Sequence, residues 1–241
     1  LLKLENIYNA MVLGLKDYVS KNRFPGVVIG LSGGIDSALT AAVAVDALGS
    51  ENVLCVMMPS PYTSNESIED AILLAKNFNI RIENIDISES FSSVKDSLSS
   101  LFKDKAADLT EENMQSRIRG LILMSLSNKF GSMVLTTGNK SEVSVGYATL
   151  YGDMCGGYSV LKDIYKTTVN ELCEWRNKNN VLCSLGPSGE VIPERIITKP
   201  PTAELRPNQK DEDSLPPYHL LDLILESLIE NNMSVREVAK L

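Results

Sequence analysis

An apolar, β-rich run, Val27-Val28-Ile29-Gly30-Leu31, leads straight into Ser32-Gly33-Gly34-Ile35-Asp36-Ser37. A long apolar stretch follows, stopped by Gly49. This order predicts a buried strand, a tight turn and a helix over Asp36 to Leu48. Two adjacent glycines at such a turn let the backbone come close to a ligand. The helix start then aims free N–H groups at an anion, and Ser32 and Ser37 add hydroxyl donors. The turn is therefore expected to cradle phosphate. It is not the G-x-x-x-x-G-K-[ST] loop, because the lysine is missing and Asp36 stands in its place. A carboxylate beside a polyphosphate is repulsive unless a cation lies between them, so Asp36 implies Mg2+.

The remaining elements repeat the alternation of strand and helix. Leu1 to Lys21 reads as an amphipathic helix with Ile7, Met11, Leu15 and Tyr18 on one face. Strands are predicted at Val53 to Met58, Arg81 to Ile87 and Met133 to Thr137. Thr63-Ser64-Asn65-Glu66 reads as a capping box for a helix with Ile68, Ala71, Ile72, Ala75 and Phe78 on its core face. Thr110 is expected to cap a helix that runs to about Phe130. Phe91 to Asp108 reads as loop or short helix. Further helices are expected from Lys162 to Lys178 and from Pro217 to Glu230. Residues 186–214 show no periodicity, are rich in proline and read as a lid or linker. The pattern predicts an α/β fold, a parallel sheet with helices on both faces. Its site should lie at the C-terminal strand edge, where the 32–37 turn and Thr136 to Glu142 both fall.

Composition removes several classes of function. A formal charge of −8 over 241 residues disfavours broad contact with a nucleic-acid backbone. No apolar run is long enough to span a membrane, and no export signal is visible at the start. Cys55, Cys155, Cys173 and Cys183 form no C-x-x-C pair, and His219 is the one histidine. They read as reduced, packed thiols of a cytoplasmic protein rather than zinc ligands.

Polar strings fall at the expected edge. Asn113 and Arg117 are four apart and share a helix face, with Arg119 pointing elsewhere. Thr136-Thr137-Gly138-Asn139-Lys140-Ser141-Glu142 follows a strand, and Glu142 could complete a Mg2+ site with Asp36 or hold a polar substrate group. Gly146-Tyr147-Ala148-Thr149-Leu150-Tyr151-Gly152-Asp153 suits a shaped pocket for a flat ring. Lys162 and Lys166 stand together at a predicted helix start, where the dipole disfavours cations. A bound phosphate is expected to compensate them, so removing either lysine should be neutral or mildly stabilising in the empty protein.

The 32–37 turn resembles the pyrophosphate loop of ATP pyrophosphatases. Taken in order with E-E-N-M-Q-S-R-I-R-G, T-T-G-N-K-S-E, G-Y-A-T-L-Y-G-D and K-P-P-T-A-E-L-R-P-N-Q-K-D-E-D-S-L-P-P-Y, the chain resembles the synthetase domain of the NAD synthetase family. The form of the last strings is closer to its glutamine-dependent branch. The resemblance runs from Ser32 to about Asp222. It implies an adenine nucleotide alpha hydrolase-like, Rossmann-like fold and ATP-dependent amidation of deamido-NAD+ to NAD+ through an acyl-adenylate. One such domain is expected over residues 1–241, with the branch's N-terminal glutaminase domain outside it and ammonia as the nitrogen donor. The resemblance places Gly30, Leu31, Ser32, Gly33, Gly34, Ile35, Asp36 and Ser37 on the ATP phosphates, and Thr137, Lys166 and Thr202 on ATP. It places Mg2+ on Asp36 and Glu142, and deamido-NAD on Asn113, Arg117, Glu142, Tyr147 and Asp153. Asp36, Glu142 and Lys166 become the catalytic set, in a homodimer with the dinucleotide at the subunit interface. The rivals are a tRNA-thiolating adenylase, which would want catalytic cysteines and a basic surface, and a nucleotide-binding module without chemistry.

Overall fold

Five strands form one parallel sheet in the order β3-β2-β1-β4-β5, in a computed structural model that describes residues 2–240. They are β1 (Val27–Gly30), β2 (Val53–Met57), β3 (Arg81–Asn84), β4 (Met133–Thr136) and β5 (Tyr158–Ser159). Val27 lies in register with Val53 on one side and Met133 on the other. Successive side chains of a strand point to opposite faces. Val27, Ile29, Cys55, Met57, Met133 and Leu135 accordingly join one core cluster, and Val28, Val56 and Val134 join a second. Burial on both faces is why β1 reads as an unbroken apolar run rather than an alternating one.

Helices α1 (Leu2–Asn22), α2 (Ile35–Leu48), α3 (Asn65–Phe78) and α7 (Lys166–Lys178) contribute to the first cluster. Helices α4 (Ser88–Leu98) and α5 (Leu109–Phe130) cover the other face. Leu1, the expected first residue of α1, lies outside the described residues. The chain runs outward from β1 through β2 to β3, then returns to place β4 on the other side of β1. That reversal opens a crevice beyond the C-terminal ends of β1 and β4. The fold thus brings the 32–37 turn and the Thr137–Glu142 segment together, as the sequence pattern predicts.

Several local expectations are corrected. Asp108, not Thr110, caps α5; it accepts the Thr110 N–H at 2.8 Å while Glu111 accepts the Asp108 N–H at 2.8 Å. Ser64 caps α3, accepting the Ser67 N–H at 3.2 Å, so the predicted Thr63–Glu66 box is displaced by one residue. The segment from Phe91, read as loop or short helix, takes the helical alternative in its first part, where it holds most of α4 with Phe91 buried against the second cluster. The third strand stops at Asn84, and β5, two residues long, carries too little pattern to be read. Lys162 lies in the turn before α7, which begins at Lys166. Residues 186–214 are not structureless, since they hold α8 (Glu194–Thr198) and a 3-10 turn at Asp211–Asp213. Short α6 (Lys140–Ser144), α9 (Tyr218–Ile229) and α10 (Val235–Val238) complete the described elements.

One polar cluster lies inside the apolar layer. Asp46 of α2 and Arg176 of α7 are each 1% exposed. The Asp46 carboxylate accepts from Arg176 Nε at 2.6 Å and Nη2 at 2.9 Å, from the Tyr8 hydroxyl at 2.6 Å and from the Ser184 hydroxyl at 2.6 Å. A buried charge is tolerated when it is paired and hydrogen-bonded in this way. Asp46→Ala should cost about 3–5 kcal/mol, because Arg176 is left buried and unpaired. Urea unfolding measures this; a loss below about 1 kcal/mol would mean that water reaches the pair.

Candidate active site

The turn after β1 is shaped by its glycines and serines. Gly33 has φ +80°, and a Cβ there would stand 2.1 Å from the carbonyl oxygen of Ser67, so only glycine fits. Gly34 starts α2 without a side-chain cap, which leaves the first-turn N–H groups for another acceptor. The serine hydroxyls are partly committed: those of Ser32 and Ser37 lie 3.1 Å apart, and Ser37 donates to the Gly34 carbonyl at 2.9 Å. They hold the turn open as well as lining it.

Lys166, Asp36 and Glu142 meet at the mouth of this turn. The ammonium of Lys166 bonds to Asp36 and, at 3.1 Å, to Glu142, with its side chain 6% exposed. Asn139, fully buried, donates to Asp36 at 2.9 Å and accepts the Glu142 N–H at 3.0 Å, so it fixes the two carboxylates relative to each other. The Tyr218 ring lies 5.2 Å from the ammonium, and its hydroxyl donates to Asp211 at 2.8 Å. Burial, and then the charge of Asp36, push the Glu142 carboxyl up to about 7 despite Lys166 beside it. Burial opposes the charge of Lys166, but Asp36 and Glu142 outweigh it and raise that group.

This geometry revises the reading of the lysine pair. The start of α7 is compensated by Asp222, whose carboxylate accepts the Thr167 N–H at 2.9 Å and takes the Ser141 hydroxyl. The charge of Lys166 is met by two carboxylates of the protein itself. Lys162 is exposed, with Asp163 at 3.8 Å as its ion-pair partner. A phosphate is therefore not needed to account for either lysine in the empty protein.

A cleft of about 300 Å3 opens above the turn. Gly30 through Ser37, Thr137, Glu142, Tyr147, Asp153, Lys166 and Thr202 all line it. Gly138, Tyr147, Asp153 and Glu142 also bound a second cavity of about 380 Å3 that reaches Tyr158 and Lys162. Glu142 thus stands in the wall between two spaces. Asn113 and Arg117 lie outside both. Asn113 accepts the Thr149 hydroxyl at 2.8 Å, and the exposed Arg117 donates to the Leu150 carbonyl at 3.2 Å. Their shared helix face holds the 149–153 turn. Arg119 of the same helix enters the cleft instead.

Residues 200–205 roof the cleft as a strap. Glu204, at φ +49°, fastens it to the first turn of α3, accepting from the Ser64 N–H at 3.2 Å, the Ser64 hydroxyl at 2.7 Å and the Ser67 hydroxyl at 2.8 Å. Glu204, Asp211, Tyr218 and Asn139 were not singled out by sequence reasoning. Asn139 carries a signal, since it lies inside the polar string after β4, and Glu204, Asp211 and Tyr218 lie inside the Lys199 to Tyr218 string, although only folding brings them to the site. Among the described residues no group of three or more His, Cys, Asp and Glu converges. Asp36 and Glu142 nevertheless reach the same ammonium, so both can reach one cation. Mg2+ is commonly held by one or two carboxylates with phosphate and water completing its shell, and the pair fits that demand.

A glycine turn at the switch point of a parallel sheet, with two carboxylates and a lysine beside it, lies where sheets of this class bind nucleotides. The NAD synthase family profile matches residues 7–241, and the chain belongs to that family. It is 57% identical over 235 residues to the glutamine-dependent NAD(+) synthetase of Rhodobacter capsulatus, covering 98% of this chain and 43% of that protein. The structure is similar to that of glutamine-dependent NAD+ synthetase from Acinetobacter baumannii in complex with ADP. The TM-score is 0.76 at 48% identity, over 97% of this chain and 40% of that one. It is also similar to the NH3-dependent NAD synthetase of Campylobacter jejuni, with a TM-score of 0.73 at 27% identity, over 98% of this chain and 90% of that one. The fold is the adenine nucleotide alpha hydrolase-like one of these neighbours. The chain spans about two-fifths of the length of the curated relatives it matches.

Two outcomes follow from the carboxylate pair. Lys166→Ala should destabilise the empty protein by about 3–5 kcal/mol, because two buried carboxylates then face each other; a neutral melt would restore the phosphate account. Glu142 has a folded-state pKa of about 7 against an ordinary 4.5. The folded state therefore holds its proton more tightly, a contribution fully present below about 4.5 and lost as pH rises through 7. In metal-free buffer Glu142→Gln should flatten stability across that window. An unchanged slope would assign it to another group.

Proposed function

We propose that this domain amidates the carboxylate of deamido-NAD+ to give NAD+, with ATP and ammonia as co-substrates. It is proposed to act as a C–N bond-forming ligase within a longer protein whose further part releases ammonia from glutamine. The observation that carries this reading is the meeting of Asp36, Glu142 and Lys166 beside an uncapped helix start. A carboxylate is a poor electrophile toward ammonia until one oxygen becomes a leaving group. Its oxygen attacks the α-phosphate of ATP, and the bond from that phosphorus to the bridging oxygen of pyrophosphate breaks. Ammonia then forms the C–N bond and AMP leaves with the acyl oxygen.

No side chain needs to form a covalent bond in this sequence. The N–H groups of the 33–37 turn take the charge that collects on pyrophosphate. Asp36 and Glu142 would hold Mg2+, which when bound neutralises phosphate charge. Lys166 is then freed from one carboxylate and can turn to a phosphoryl oxygen. Thr137 and Thr202 line the ATP side, and Tyr147 and Asp153 the wall toward the second cavity, where the nicotinate end is proposed to lie. Asn113 and Arg117 are proposed to meet parts of the dinucleotide that extend beyond the cleft, at a homodimer interface. The 200–205 strap excludes water from the hydrolysable adenylate. The chemistry belongs to a cytoplasmic enzyme with no nucleic-acid partner. Among the described residues no helix is long and apolar enough to cross a membrane.

Incubation with deamido-NAD+, ATP, Mg2+ and ammonium should yield NAD+ and AMP in equal amounts by chromatography. AMP release without NAD+, or no turnover at all, would favour the adenylase or binding-module readings. Asp36→Asn should lower kcat by about 2.7–4 kcal/mol of barrier while the fold survives. Near-normal turnover at saturating Mg2+ would remove Asp36 from the mechanism.

A further inference from the structure

Arg119 projects from α5 into the wall of the cleft. Its Nε donates to the Met58 carbonyl at 3.0 Å, which fixes the guanidinium at the C-terminal end of β2. β2 neighbours β1, the strand that carries the phosphate turn. Among the described residues the two terminal amino groups of Arg119 bond to no protein atom, and the side chain forms no ion pair. Glu204, whose charge acts on Arg119, is committed to Ser64, Ser67 and Lys199. Two other shielded cations of the chain are paired with carboxylates: Arg176 with Asp46, and Lys166 with Asp36 and Glu142. Burial pushes Arg119 down to about 10, with Glu204 opposing, so it keeps its charge at neutral pH. A pre-oriented guanidinium with open donors in a partly desolvated wall is costly until an anion completes it.

We propose that Arg119 binds the α-phosphate of ATP and stays on that phosphate as it becomes the acyl-adenylate. This assignment rests on the amidation reading. The β- and γ-phosphates go to the N–H groups of the turn and leave as pyrophosphate. The guanidinium is anchored at Met58, just past the end of β2, the strand beside the one that carries the turn, and it lines the same cleft. Its planar fork matches two non-bridging phosphoryl oxygens. The substrate carboxylate comes from the side of the second cavity, which Arg119 does not line.

The test compares wild type, Arg119→Met and Arg119→Lys for binding of AMP and of adenosine by calorimetry. Alongside it, deamido-NAD-dependent exchange of pyrophosphate into ATP is measured. Arg119→Met should lose about tenfold in AMP affinity, which is about 1.4 kcal/mol. Adenosine binding should be unchanged. The exchange rate should fall at least tenfold with the KM for deamido-NAD unaltered, and Arg119→Lys should lie between. Equal losses for AMP and adenosine would make Arg119 structural. Intact AMP binding with a raised KM for deamido-NAD would make it a carboxylate contact. Either result overturns the proposal. Thermal melts check each fold, and should Arg119→Met not fold, Arg119→Lys alone decides, full wild-type AMP affinity counting against. Wild type that gives no exchange refutes the amidation reading, while the AMP and adenosine comparison still judges Arg119.

Discussion

Helices α2 and α7 are held together by two ion pairs with the same offset. Asp36 meets Lys166 and Asp46 meets Arg176, each pair 130 residues apart in sequence. Both helices therefore run parallel and in register, and the pairs lie about 15 Å apart along them at 1.5 Å per residue. The inner pair is sealed by apolar packing and by Tyr8 and Ser184. The outer pair opens on the cleft. A register set in the core thus fixes where the site lysine stands against the site carboxylate. One structural salt bridge carries its geometry to the site through two rigid helices.

At the outer pair there are two carboxylates for one lysine. Burial and then the Asp36 charge raise Glu142, and Lys166 between them keeps the two carboxylates close. A cation that brings phosphate with it would meet a ligand pair already assembled, with Asn139 holding the two carboxylates in place. Preorganised charge of this kind costs nothing at the moment of reaction because the cost is met in folding. The buried pair of Asp46 and Arg176, with its several hydrogen bonds, is one place where the fold can bear that cost.

The strap over the cleft is a separate device. Glu204 ties it to the N-terminal turn of α3, and that same turn supplies the Ser67 carbonyl against which Gly33 packs. Strap, helix start and phosphate turn are therefore mechanically joined.

Local patterns determine much of this protein when taken alone. The apolar run before Ser32, the paired glycines and the following helix specify a strand–turn–helix phosphate site, because each depends on neighbours in sequence. The polar string after β4 likewise announces Asn139 and Glu142. The alternation of elements implies the parallel sheet, whose order then places both strings at one edge. The caps fall a residue or two from their expected places because Asp108 and Ser64 compete with adjacent side chains that look equally suitable as acceptors. Tertiary structure alone decided which charges are paired. Lys166 looked like an exposed cation awaiting phosphate, yet Asp36, Glu142 and Asp222 reach it and its helix from three other segments. Arg117 and Arg119 differ by two positions, which on a helix turns one to solvent and the other into the cleft. Composition and spacing do not encode which neighbour fills a charge's surroundings, because those neighbours arrive from other elements of the fold, 24 residues away for Glu142 and 130 for Asp36.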